Sequence, residues 1–187
     1  MLAPAYRDQW VEDILAVHDE LDVPEGHKAE VIEGNIVVSP SPSRRHGLIS
    51  WLLQAQISGH LPTGLVPTNN ITVDLTATGE RYIPDLLVVD EDALRSDEWL
   101  LPVSDAELVV EIVSPSSARD DRVSKVRGYA ASGVPIYLLV DPLERAITLF
   151  TEPSGKCYQQ VHRVAFGKPI TLPAPYDVTI DSSGFGI

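Results

Sequence analysis

The chain has 187 residues, 44% of them hydrophobic and 22% charged, which is enough for one sizeable core, so a single domain over 1–187 is expected. Its net charge of −13 argues against a generic nucleic-acid binder, whose affinity comes largely from Lys and Arg on phosphates. The lone cysteine, Cys157, excludes an internal disulfide and suits a reducing cytoplasm; no run approaches the roughly 18 apolar residues of a membrane span, and Met1–Asp8 has no signal-peptide-like apolar stretch.

In chain order, Trp10, Ile14, Val17 and Leu21 recur at helical spacing and predict an amphipathic helix over about 8–22, broken by Pro24 and Gly26. Glu30-Val31-Ile32 and Ile36-Val37-Val38 read as a hairpin that turns at Glu33-Gly34-Asn35. After the stiff loop 39–43, Ser43 is a plausible N-cap for a helix over about 44–61 with Leu48, Ile49, Leu52, Leu53 and Ile57 inward. Strands follow at about 66–75 and 81–89, then an acidic, irregular connection over 90–106 and a strand over 107–113. A helix over about 118–132, with Val123, Val126 and Ala130 as its core stripe, ends at Gly133 in the C′ position. Strands at 134–140, 146–151 and about 157–164 and a Pro-rich tail complete the chain. The strand–helix–strand unit over 107–140 predicts a parallel pair. Together these elements predict an α/β or α+β chain in three layers, with helices covering a central mixed sheet.

Two acids stand out in apolar surroundings. They are Asp85, in Pro84-Asp85-Leu86-Leu87-Val88-Val89, and Glu111, in Leu108-Val109-Val110-Glu111-Ile112-Val113. A carboxylate in an apolar strand is costly to bury unless it is paired or holds a metal. Lys125 follows on the next predicted helix, so a metal-assisted hydrolytic site is one reading. Ion pairs are the other: Asp85 with Arg81, Glu111 with Arg122 or Lys125, and Lys125 as a solvated helix lysine. Tyr129 reads as core or as a packing partner of the lysine, Glu33 as a hairpin-turn acid and Asp141 as a turn residue before Pro142. The cations Arg44, Arg45, Arg119, Arg122, Lys125 and Arg127 gather in two short segments, either as a local basic rim or as a solvated face.

The ordered set Pro84-Asp85, Glu111-Ile112-Val113-Ser114-Pro115-Ser116, Lys125, Tyr129, Gly133-Val134 and Tyr137-Leu138-Leu139-Val140-Asp141-Pro142 resembles the Uma-two family, restriction endonuclease-like proteins of the PD-(D/E)xK nuclease superfamily. Glu30-Val31-Ile32-Glu33-Gly34 and Ser41-Pro42-Ser43-Arg44-Arg45-His46 match its N-terminal signature, and the resemblance covers about 28–152. It implies a restriction endonuclease-like fold and a Mg²⁺- or Mn²⁺-dependent endonuclease acting on DNA. Asp85 and Glu111 would be the metal carboxylates, the Ile112 carbonyl a further ligand, and Lys125 the residue that holds the attacking water. Glu30 and His46 are further candidates: Glu30 would reach the metal through water or hold Lys125 or His46, and His46 would orient water or contact a phosphate. Arg44, Arg45, Arg119, Arg122 and Arg127 would contact nucleic acid. In the superfamily pattern the lysine stands two places after the second acid, where this chain has Val113, so the resemblance implies a lysine moved to the following helix.

Gly-rich phosphate loops, Gly-x-Ser-x-Gly elbows and Cys/His zinc spacings are missing from the sequence. Three functions remain: a metal-dependent endonuclease, a non-catalytic nucleic-acid- or protein-binding member of the same fold, and a structural protein whose acids form ion pairs. Cutting both strands of DNA would favour a homodimer.

Overall fold

In the computed structural model, which describes residues 4–186 and the side chains of 9–186, two sheets divide the strands. Met1–Ala3, part of the segment read above for a leader, lie outside the described residues. The elements that position the site are helix α1 (Pro4–Asp19), strands β1 (His27–Ile32) and β2 (Asn35–Pro40), helix α2 (Arg44–Ser58), and strands β3 (Leu65–Thr68), β4 (Thr72–Leu75), β5 (Glu80–Tyr82) and β6 (Leu86–Asp90). They continue as β7 (Leu100–Pro102), β8 (Ala106–Ile112), a π-turn (Asp120–Ser124) leading into α3 (Lys125–Ala131), β9 (Ile136–Asp141), β10 (Ala146–Ser154) and β11 (Cys157–Ala165), with the short pair β12 (Ile170–Thr171) and β13 (Thr179–Ile180) in the tail.

Six strands form the larger sheet in the order β11-β10-β9-β8-β6-β3, and five form the smaller one in the order β2-β1-β5-β4-β7. β8 and β9 are parallel, as the crossover between them predicts, and the remaining pairs of the larger sheet are antiparallel. Side chains alternate along its strands. Leu86, Val88, Leu108, Val110, Leu138 and Val140 pack with α2 and the tail. Leu87, Val89, Val109, Tyr137 and Leu139 pack with α3 and the smaller sheet. The mixed α+β layering expected from the sequence is present, with a second sheet added to it.

That second sheet corrects two strand assignments. The segment 66–75 is two strands in different sheets, parted at Asn69-Asn70, where Asn70 takes a φ of 57°. Asn tolerates this left-handed geometry better than most residues. The segment 81–89 is likewise split between β5 and β6 at Ile83-Pro84, where proline has no N–H for a ladder. Asp85 therefore stands where the chain passes from one sheet to the other, just ahead of β6.

Three helix faces also differ. α1 turns Val11, Ile14, Leu15 and His18 inward, leaving Trp10 and Val17 exposed. α2 buries Ile49, Leu53 and Ile57 and is capped by Ser43, whose hydroxyl accepts from the His46 N–H at 3.3 Å, but Leu48 is exposed. In the helix that includes the π-turn, Asp121, Ser124, Lys125, Gly128 and Tyr129 point inward and Val123 is exposed. Val126 and Ala130 of the expected stripe do pack inward and only Val123 is misplaced; apolar periodicity does not pick out the polar Asp121, Ser124 and Lys125 that share the buried face. The β1–β2 turn is Glu33-Gly34, with φ of 49° and 73°, and Asn35 already belongs to β2.

Candidate active site

Asp85 and Glu111 meet because of strand register. β6 and β8 run antiparallel with Leu86 opposite Val110, so one further step sets Asp85 beside Glu111 on the same face. The Asp85 N–H donates to the Val110 carbonyl at 3.2 Å, and Asp85 Oδ2 accepts from the Ile112 N–H at 2.8 Å. Like charges set opposite each other across a ladder are ordinarily destabilising. A cleft of about 680 Å³ opens at this point, lined by Asp85, Glu111, Ile112, Lys125, Glu30 and His46 among others.

Lys125 comes from the other side. The π-turn places one extra residue in the helix, and the Lys125 N–H donates to the carbonyl of Asp120, five residues back. Such bulges concentrate at functional sites. The lysine side chain is 2% exposed. Its Nζ is 2.9 Å from Glu111 Oε1 and 2.9 Å from Glu30 Oε1. Asp121 Oδ1 is 3.4 Å away without hydrogen-bond alignment, so that contact is Coulombic. The Tyr129 hydroxyl, one helical turn further on, donates to the same Glu111 oxygen at 2.8 Å. The Tyr82 ring lies 5.6 Å from the ammonium, and its close approach depends on Gly128, where a Cβ would overlap the Tyr82 hydroxyl.

The outer wall comes from α2 and β1. His46 Nε2 is 3.0 Å from Asp85 Oδ1, and the Ser50 hydroxyl donates to the Asp85 carbonyl at 3.4 Å. Lys28 and Glu30 share one face of β1. Lys28 Nζ donates to the Ile83 carbonyl at 3.0 Å and lies 3.8 Å from Glu30 and 4.0 Å from Asp85. Glu30 Oε1 also accepts from the Ile83 N–H at 2.8 Å.

Four carboxylates, Glu30, Asp85, Glu111 and Asp121, thus face two ammonium groups, Lys28 and Lys125, and would leave two negative charges in excess if all four were ionised and His46 were neutral. The protonation states follow. Burial pushes Glu111 up to about 8, aided by Asp121 and Asp85 and opposed by Lys125. Burial also raises Asp121. Burial would raise Asp85, but His46, Lys28 and the Ile112 N–H hold it below its ordinary value. Burial works the same way on Glu30, where Lys125, Lys28 and the Ile83 N–H prevail. Burial disfavours the Lys125 ammonium, yet Glu111, Glu30 and Asp121 lift its pKa well above the ordinary lysine value, so it stays charged.

A divalent cation fits this donor set. Mg²⁺ needs one or two carboxylates, with water and other oxygens completing its shell. Among the described residues no three His, Cys, Asp or Glu side chains converge as a ready-made cage. The cluster instead offers two adjacent carboxylates, the neighbouring Ile112 carbonyl and uncompensated negative charge.

Among the arginines, Arg45 lines the cleft and donates to the Phe185 carbonyl at 3.0 Å. Arg44 is exposed at the start of α2. Arg119 and Arg127 lie 3.4 and 3.9 Å from Glu33. Arg122 pairs with Asp141 at 2.8 Å and Glu144 at 3.4 Å, and Asp141 also caps the turn that follows β9 by accepting from the Leu143 and Glu144 N–H groups. Arg81 pairs with Asp19 and Asp74 and leaves Asp85 to His46 and Lys28. Lys28 and Asp121 escaped the sequence reading. Strand alternation from Glu30 and the i−4 spacing from Lys125 would have found both.

Residues 12–181 match the family model described as "Uma2: Putative restriction endonuclease". The chain belongs to the Uma2 family. No protein with a curated description matches the chain. Among solved structures, this Uma2 chain is similar in fold to a putative nuclease of the DUF820 family from Anabaena variabilis. The TM-score is 0.73 at 16% identity, covering 94% of this chain and 96% of that one. The Uma2 match extends beyond 28–152 at both ends, taking in the second half of α1 and the tail strands. Among the described residues no helix is long and apolar enough to cross a membrane.

Proposed function

We propose that this protein is a metal-dependent DNA endonuclease, with the described residues acting as one unit. The reading rests on one observation above the others: two carboxylates, one just ahead of β6 and one on the neighbouring β8, share a cleft with a buried ammonium 2.9 Å from one of them. Asp85, Glu111 and the Ile112 carbonyl would hold Mg²⁺ or Mn²⁺. When bound, the ion would offset phosphate charge and lower the pKa of water. Lys125, charged and fixed by Glu30 and Asp121, orients the attacking water and stabilises the charge that develops on the phosphate. Tyr129 holds the Glu111 carboxylate in place. His46 braces Asp85 and keeps a ring edge near the mouth, within reach of a phosphate. One site cuts one strand, so duplex cleavage by this protein involves a homodimer.

The test is cleavage of supercoiled, linear and single-stranded DNA with Mg²⁺, Mn²⁺ or EDTA. Nicking that requires the metal and disappears in Glu111→Gln is the expected result. No cleavage by wild type under any of these conditions would overturn it. A second reading, a non-catalytic nucleic-acid- or protein-binding member of the fold, is favoured by the −13 charge and by Arg119, Arg122 and Arg127 lying against acids.

A further inference from the structure

The wall that carries His46 also carries an exposed tryptophan with no structural task. Trp51 is 63% exposed, lines the cleft, and sits five residues beyond His46 on α2. That is about 7.5 Å along the helix axis. Gly47, one turn before Trp51, has nothing within 4 Å of where a Cβ would stand, so the approach to the indole is bare. Gln54, three residues after Trp51, lines the same wall, and Asn69 and Asn70 at the β3–β4 break line the cleft with it. These amides offer donors and acceptors to the edge of a base.

Charge narrows the occupant. The net charge is −13, Lys125 is buried and Lys28 is held between Glu30 and Asp85, so among the described residues that line the cleft Arg45 is the arginine left to meet phosphates, with exposed Arg44 beside it. So short a basic patch grips a duplex weakly, and a contact that does not depend on net charge has the most to add. Stacking of an unpaired base on an aromatic ring is such a contact.

We propose that Trp51 is a stacking platform for an unpaired nucleobase, so that the site takes single-stranded nucleic acid, or a strand opened next to the scissile phosphate, in preference to closed duplex. This rests on the nuclease reading, since Trp51 and Asp85 line the same cleft.

The experiment is a titration of the whole protein into an end-labelled short oligothymidylate, an end-labelled abasic strand of equal length and charge, and an end-labelled duplex of the same length, with affinities read from the anisotropy of the label and the protein's own tryptophan emission followed alongside. Metal is omitted so that no cleavage occurs. Trp10 and Trp99 lie outside the cleft lining, so quenching on binding reports Trp51. Oligothymidylate is expected to quench the emission and to bind at least tenfold tighter than the abasic strand or the duplex. Trp51→Ala should lose that advantage and Trp51→Phe should keep most of it. Equal affinity for thymidylate and abasic strands, or an unchanged preference in Trp51→Ala, overturns the proposal. Metal-dependent cleavage of closed duplex without base-dependent quenching would sink this inference and leave the nuclease reading standing. Base-dependent quenching without any cleavage would do the reverse.

Discussion

Lys125 Nζ lies 2.9 Å from Glu111 Oε1, although fourteen positions separate the two residues. The lysine is buried, so its removal affects more than chemistry. Glu30, Glu111 and Asp121 would lose their shared partner in a space with little water. Lys125→Ala should cost about 3–5 kcal/mol of stability at neutral pH, the scale for breaking a buried ion pair from one side. Urea denaturation measures this. A loss under 1 kcal/mol would mean that solvent already reaches the cluster.

Lys125→Met keeps the length and apolar stem of the side chain while removing the charge. In protein that remains folded, DNA cleavage should fall about 10²-fold or more with substrate affinity little changed. Single-turnover rates at saturating DNA give the answer. Arg127→Ala, on the exposed face of α3, should weaken binding modestly and in a salt-dependent way. Wild-type rates in Lys125→Met would remove the lysine from the chemistry.

Glu111 is an acid whose folded pKa, about 8, lies above its ordinary value of 4.5. The folded state therefore keeps a proton that the unfolded state releases, and this contribution to stability declines as pH rises from 4.5 to about 8. Glu111→Gln should flatten that slope in denaturation midpoints taken from pH 5 to 9. Asp85 is shifted the other way, so its contribution is present at neutral pH and is lost as pH falls through its folded value. A slope in the mutant as steep as that of wild type would place the titrating group elsewhere.

Mg²⁺ or Mn²⁺ should compete with the Glu111 proton and so stabilise the fold more at pH 8 than at pH 6. By linkage, an ion at 100 times its Kd adds about 2.7 kcal/mol. Asp85→Asn should abolish the metal-induced rise in Tm. An equal rise in wild type and mutant would locate the ion at another site.

Gly128→Ala would drive a methyl group into the Tyr82 hydroxyl and bring it to 2.9 Å from two ring carbons. The expected cost is about 1–3 kcal/mol, with disturbance of the Lys125 pocket. Tyr82→Phe by itself should be nearly neutral, because that buried hydroxyl has no hydrogen-bond partner among the described residues. The double mutant should recover part of the loss, and thermal melts of all four proteins provide the coupling energy. Strict additivity would show that the helix moves away without touching Tyr82.

Local patterns carried the elements whose signals are local. The Glu33-Gly34 turn, the Ser43 cap, the Gly133 stop and the parallel β8–β9 crossover follow from backbone geometry and short-range hydrogen bonding. Asp85 and Glu111 could be singled out because charges in apolar company are costly, and Lys125 because it follows them on the next helix. Tertiary structure decided the rest. Whether 66–75 and 81–89 stay in one sheet or cross to another depends on what each half packs against, and alternation in a strand is the same in either sheet. The inward face of the helix around Lys125 mixes Val126, Tyr129 and Ala130 with the polar Asp121, Ser124 and Lys125, so apolar periodicity finds only part of it. The arrangement of Glu30, Glu111 and Asp121 around one ammonium depends on strand register and a single inserted helical residue. Both are set by the packing of distant segments, since the local sequence energies of a π-turn and a regular helix differ too little to choose between them.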